Sequence, residues 1–138
     1  DEKGVLLADG ATGTNFFIMG LVSGDAPERW NDDEPEKVLA LHQGFVDAGA
    51  DIILTNTFGA NRHRLKLHNA QDRATELSKK AAQLARQVAD GVDHPVLVAG
   101  SVGPTGELFE PLGELTREAA MESATICSQL ASTRRAAP

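Results

Sequence analysis

The chain has 138 residues, 41% of them hydrophobic and 24% charged, which fits one globular unit large enough to bury a real core. Its net charge of -7, with no basic block except the final "TRR", argues against a nucleic-acid-binding face. No apolar run approaches the ~18 residues needed to cross a bilayer, and no Lys/Arg-headed signal sequence opens the chain, so a cytoplasmic location without membrane contact is expected.

The first apolar run is Val5-Leu6-Leu7-Ala8, followed by the Gly-rich patch "DGATGTN". Trp30, in "APERWND", reads either as a lid over strand ends or as simple packing. Pro35 then stands where a helix begins, preceded by Asp32, Asp33 and Glu34. Val38, Leu41, Phe45 and Ala48 recur at helical spacing, with His42 on the polar part of the pattern, and Gly49 is a natural stop. The second run, Ile52-Ile53-Leu54, ends in "TNTFGAN". Ala74, Leu77, Ala81, Leu84, Ala85 and Val88 form the next stripe, stopped by Gly91, and Asp93-His94-Pro95 turns the chain. The third run, Val96-Leu97-Val98-Ala99, leads into "GSVGPTG". Last, Thr116 is placed to cap a helix carrying Ala120, Ala124, Cys127 and Leu130 on one face.

These three runs lack the alternation of a half-wet strand, so they read as parallel strands covered on both faces. The order β-α-β-α-β-α requires right-handed crossovers. A doubly wound sheet and a (β/α)-barrel both satisfy it, and in both the chemistry gathers at the carboxyl ends of the strands.

Three patches fall at such ends. Asp9 and Gly10 follow the first run, where a carboxylate can hold a substrate ammonium and the backbone amides can face an anion; an ordinary Asp-Gly turn is the alternative. Thr55, Asn56 and Thr57 offer uncharged donors and acceptors suited to orienting a small polar substrate, and Phe58 is either a pocket wall or packing for the next helix. Gly100 and Ser101 open a glycine-rich loop that reads as a flexible mouth or as a plain connection. Neither G-x-G-x-x-G nor a Walker A loop occurs, which weakens a nucleotide-binding α/β domain as an alternative. The four histidines lack metal-ligand spacing, and the lone Cys127 excludes an internal disulfide framework. It reads as a small apolar helix residue, with a reactive thiol or metal ligand as the other reading.

Taken together, "LLADGATGTN", "FVDAGADIILTNTFGAN" and "VAGSVGPTGE" resemble the N-terminal part of the homocysteine S-methyltransferase family. That family spans betaine-dependent and S-methylmethionine-dependent enzymes and the homocysteine domain of methionine synthase. The resemblance implies a TIM-type (β/α)8 barrel, with about three of its eight βα units in residues 1–138 and a divergent or truncated tail over about 117–138. It also implies a catalytic zinc, held by three cysteines of the barrel's second half that have no counterpart here. Homocysteine and a methyl donor would be the partners, giving methionine. Asp9 and Gly10 would hold the amino-acid end, Thr55, Asn56, Thr57 and Phe58 would line the pocket, and Gly100 and Ser101 would lie at the third strand's mouth. The absence of tyrosine and the presence of Gly59 where betaine-type enzymes place an aromatic leave no cage for a quaternary ammonium. The alternative is a non-catalytic fragment or assembly module, with self-association through exposed sheet edges.

Overall fold

Two short parallel strands, β1 (Ile52–Leu54) and β2 (Leu97–Ala99), pair in register, with Ile53 opposite Val98. The computed structural model describes residues 4–131, with side chains as far as residue 125. The expected first strand over Val5–Ala8 is reduced to a single parallel bridge, Ala8 to Ile52. Around it, the Asp9 amide donates to Ile52 O at 2.9 Å and the Asp51 amide to Leu7 O at 2.7 Å. Val5, Leu6 and Leu7 are 84%, 46% and 57% exposed, so this run lacks the cover that its apolar sequence anticipates. The expected order of three strand segments is otherwise kept, and the fold is α/β and parallel.

Helices surround this sheet. α1 (Thr12–Ile18) was not anticipated from the Gly-rich patch, and Phe16 is the residue it buries. α2 (Trp30–Asp33) is a single turn, and α3 (Pro35–Asp47) starts at Pro35 as expected. α4 (Arg62–Leu65) is short, while α5 (Ala74–Asp90) is long and packs on α3. α6 (Arg117–Ala131) is capped by Thr116, whose hydroxyl accepts from the Ala119 amide at 3.1 Å. The proposed roles of Cys127 and Leu130 lie outside the described side chains. Among the described residues no helix is long and apolar enough to cross a membrane.

The core forms where α3 and α5 meet the sheet. Val46, Ala50, Ile53, Ala85, Val88, Ala89 and Val96 make one cluster, so the α5 stripe read from sequence does bury itself against β1. A second cluster joins Phe16, Leu21, Trp30, Val38 and Leu41. Trp30 is therefore packing rather than a lid: its ring lies 5.0 Å from Phe16, and the Lys37 ammonium sits 4.4 Å from its centroid. At the surface, Asp32 and Glu76 share the cations Arg73 and Lys80. Hydrogen bonds from Arg73, then Lys80, hold Glu76 down at about 2.

His42 corrects the sequence reading. It shares a stripe with Val38 and Val46 at i±4, is 1% exposed, and neither ring nitrogen has a partner. Burial drives its pKa from 6.5 to about 4. The unfolded chain therefore takes up a proton near pH 6.5 that the folded chain refuses until about pH 4. The contribution of His42 to stability is complete above pH 6.5, falls by roughly 3 kcal/mol as pH drops through this window, and levels off below it. Urea midpoints compared across pH for the native chain and His42→Leu should diverge over that interval; parallel curves would refute the assignment.

Candidate functional site

The three patches converge at the carboxyl ends of the parallel segments. Asp9 leaves the first bridge and turns its side chain onto the neighbouring strand, where Oδ2 accepts from the Leu54 amide at 2.8 Å. Its other oxygen, Oδ1, is buried without a partner. Burial pushes the Asp9 carboxyl upward, and the Leu54 hydrogen bond works against that rise. A carboxylate with one oxygen anchored and one unanswered suits a cationic group, because an incoming ammonium would offset the cost of its desolvation. Gly10 sits beside it, and a Cβ there would lie 3.3 Å from the Phe45 ring.

At the end of β1, Thr55, Asn56 and Thr57 are 4%, 4% and 2% exposed. Their hydrogen bonds tie the strand ends together. The Ser101 amide donates to Thr55 Oγ1 at 3.2 Å, and Thr57 Oγ1 donates to Ser101 O at 2.7 Å. The two threonine hydroxyls lie 2.8 Å apart. Because the Thr57 hydrogen goes to the Ser101 carbonyl, Thr55 must be the donor between them. The result is a one-way ring that starts and ends on the Ser101 peptide. Ser101 is thus joined to Thr55 and Thr57, while Gly100, half-buried, carries the chain from β2 into this loop.

Asn56 faces the other way. Its Nδ2 donates to Pro27 O at 2.8 Å and to Asn31 Oδ1 at 3.0 Å, and Asn31 returns a bond to Asn56 O at 2.9 Å. Phe58 is 59% exposed and lines an open cleft with Glu28, Gly59, Arg64 and His68. Glu28 and Asn31 were not singled out from sequence. Their only signal is polar residues within the "APERWND" stretch, which reads as a solvated turn until its partners are known.

Among the described residues no group of three or more His, Cys, Asp or Glu could hold a metal ion. By themselves these residues do not make up a zinc centre.

A family model described as homocysteine S-methyltransferase matches residues 6–130. The methionine synthase of Mycobacterium leprae (strain TN) is 35% identical over 133 residues, covering 87% of this chain and 11% of that protein. A betaine-homocysteine S-methyltransferase of Drosophila melanogaster is 32% identical over 131 residues, covering 84% and 40%. The crystal structure of the homocysteine methyltransferase MmuM from Escherichia coli, metallated form, aligns with a TM-score of 0.66 at 28% identity, covering 76% of this chain and 40% of that one. The chain thus spans about a tenth of the mycobacterial relative and two fifths of the other two. Since the family match spans residues 6–130, a range that includes the Asp9, Thr55–Thr57 and Gly100–Ser101 loops, the chain belongs to the homocysteine S-methyltransferase family.

Proposed function

We propose that this chain supplies the part of a homocysteine S-methyltransferase that holds the amino-acid end of homocysteine, within one partial (β/α)8 barrel domain. The observation that carries this reading is Asp9, with Oδ2 fixed by the Leu54 amide and Oδ1 buried and unanswered at a strand's carboxyl end. Asp9 would receive the substrate ammonium, with the Gly10 amide, the Thr55–Thr57 tip, Phe58 and the Gly100–Ser101 loop bounding the pocket. Zinc, when bound by cysteines beyond this segment, would supply a homocysteine thiolate near neutral pH. The residues described here would then orient that sulfur toward a methyl donor, with methionine as product. We assign the reaction to the cytoplasm, in keeping with a chain that carries a single cysteine.

Methionine formation should be assayed with the 138-residue chain and with a version extended to the length of its relatives, using sulfonium, quaternary ammonium and corrinoid donors. The extended version is expected to turn over, and failure with every donor would sink the reading. In that version Asp9→Asn keeps an oxygen for the Leu54 amide but loses the charge. Its KM for homocysteine is expected to rise about ten-fold or more, with the urea midpoint little changed.

Self-association belongs to the same proposal. Val5, Leu6 and Leu7 on one outer edge, and Leu97 on β2 at 56% exposure, present apolar surface beside unpaired strand edges. Sedimentation of the 138-residue chain should show a molecular weight that grows with concentration. A monomer across the whole range would contradict it.

A further inference from the structure

Residues 27–31 are fastened across the end of β1 by a row of hydrogen bonds to residues 56–59. Pro27 O accepts from Asn56 Nδ2 at 2.8 Å, and Glu28 Oε1 accepts from the Gly59 amide at 2.7 Å. Asn31 closes the row. Its Oδ1 accepts from Asn56 Nδ2 at 3.0 Å, while its Nδ2 donates to Asn56 O at 2.9 Å and to Leu77 O at 3.3 Å. An amide turned the other way would set its oxygen against two carbonyl oxygens, so the partners fix its orientation. With both hydrogens in use and 2% of its surface exposed, Asn31 has nothing to offer a ligand directly.

Its leverage comes from where Asn56 sits. Thr55 and Thr57, on either side of Asn56, bond instead to the backbone of Ser101. Alternation along the extended chain thus lets the tip of β1 be gripped from two faces, by Ser101 on one and by Asn31 on the other. Leu77 belongs to α5, whose Ala85, Val88 and Ala89 pack in the core with Ile53, so the grip of Asn31 is referred to a rigid base. The Thr55 amide donates to Ala99 O at 2.9 Å and keeps the register with β2. Behind that bond, the Leu54 amide holds Asp9 without help from Asn31. Beyond it, the orientation of residues 55–57 depends on the grip on Asn56.

We propose that Asn31 is a positioning residue: clamped between Asn56 and Leu77, it sets the angle of the β1 tip and so seats the Gly100–Ser101 loop at the pocket wall. This rests on the reading of that tip and loop as part of a homocysteine pocket. It assigns Asn31 to the threonine side of the pocket and leaves Asp9 to its own anchor.

The test has two arms. In the 138-residue chain, amide hydrogen exchange compares the native sequence with Asn31→Ser and with Val46→Ala, a core truncation away from the tip. The reporters are the Ser101 amide, on Thr55 Oγ1, and the Leu54 and Leu97 amides, on Asp9 Oδ2 and Asp51 O. In Asn31→Ser the Ser101 amide should exchange about ten-fold faster relative to the other two. Asn31→Asp keeps an oxygen for Asn56 Nδ2 but has no hydrogen for Asn56 O, and should show the same difference if the serine variant does not fold. Equal acceleration at all three amides, no acceleration at Ser101, or the same difference in Val46→Ala overturns the proposal.

In the extended version, Asn31→Ser should raise the KM for homocysteine about ten-fold with kcat within about two-fold. Thr57→Val, which cuts the bond to Ser101 O, should act through the same seat, so the double variant should lose little more than either single one. An unchanged KM in Asn31→Ser, or a double variant in which the two losses multiply, overturns the proposal. An extended version inactive with every donor sinks the reading of the pocket, whereas the exchange result judges Asn31 by itself.

Discussion

Replacing Asn56 with alanine is expected to lower the stability of the chain by about 3 kcal/mol. Asn56 and Asn31 are 4% and 2% exposed and bond to each other in both directions. Truncation removes two donated bonds at once, to Pro27 O and to Asn31 Oδ1, and leaves both acceptors buried beside a small void. Each stranded acceptor costs about 1–3 kcal/mol, and water entering the void would recover part of that. Asn31 also reaches Leu77 O at 3.3 Å, so the loss loosens the contact between the Pro27 turn, the β1 tip and α5 together. Urea midpoints at fixed chain concentration measure it. Asn56→Asp should be no milder, because a carboxylate cannot donate to either acceptor. A change below about 1 kcal/mol would mean that the pair is dispensable.

The second large effect is expected at Gly103. A methyl group there would lie 2.2 Å from Phe58 O and 2.9 Å from two atoms of the Phe58 ring. The nearest obstacle is backbone, which cannot rotate aside, so Gly103→Ala must push the two loops apart. A loss of about 2–4 kcal/mol is expected, with amide shifts spreading through residues 57–61. Gly13→Ala is the matched control: it lies inside α1 with nothing within 4 Å of the new carbon. It should stabilise by about 0.5–1 kcal/mol. Similar outcomes at both positions would show that the close approach to Phe58 carries no weight.

Elements whose pattern repeats over many residues were legible in the sequence. The stripe from Ala74 to Val88 and its stop at Gly91 appear as α5, and Ile52–Leu54 is a strand at those bounds. Pro35 and Thr116 marked helix starts because their signals are local: a fixed φ and a side-chain cap. α1 was hidden because Thr12, Gly13 and Thr14 are poor helix formers, and the burial of Phe16 against Trp30 outweighs them. His42 was misread because residue type was given more weight than position, although i±4 places it with Val38 and Val46. At the candidate site the residue types at strand ends could be read, but not their partners. That Asn56 turns toward Asn31 while Thr55 and Thr57 turn toward Ser101 depends on contacts 25 to 46 positions apart.

The ring of bonds through Thr55, Thr57 and Ser101 carries one further consequence, which concerns polarity. Both threonine hydroxyl hydrogens in it are committed: Thr55 gives to Thr57, and Thr57 gives to the Ser101 carbonyl. Neither threonine hydroxyl therefore has a hydrogen left to donate to anything that approaches the end of β1. The hydroxyls act as struts between the two strand ends, and the direction in which their hydrogens run is fixed by the Ser101 carbonyl at the end of the relay.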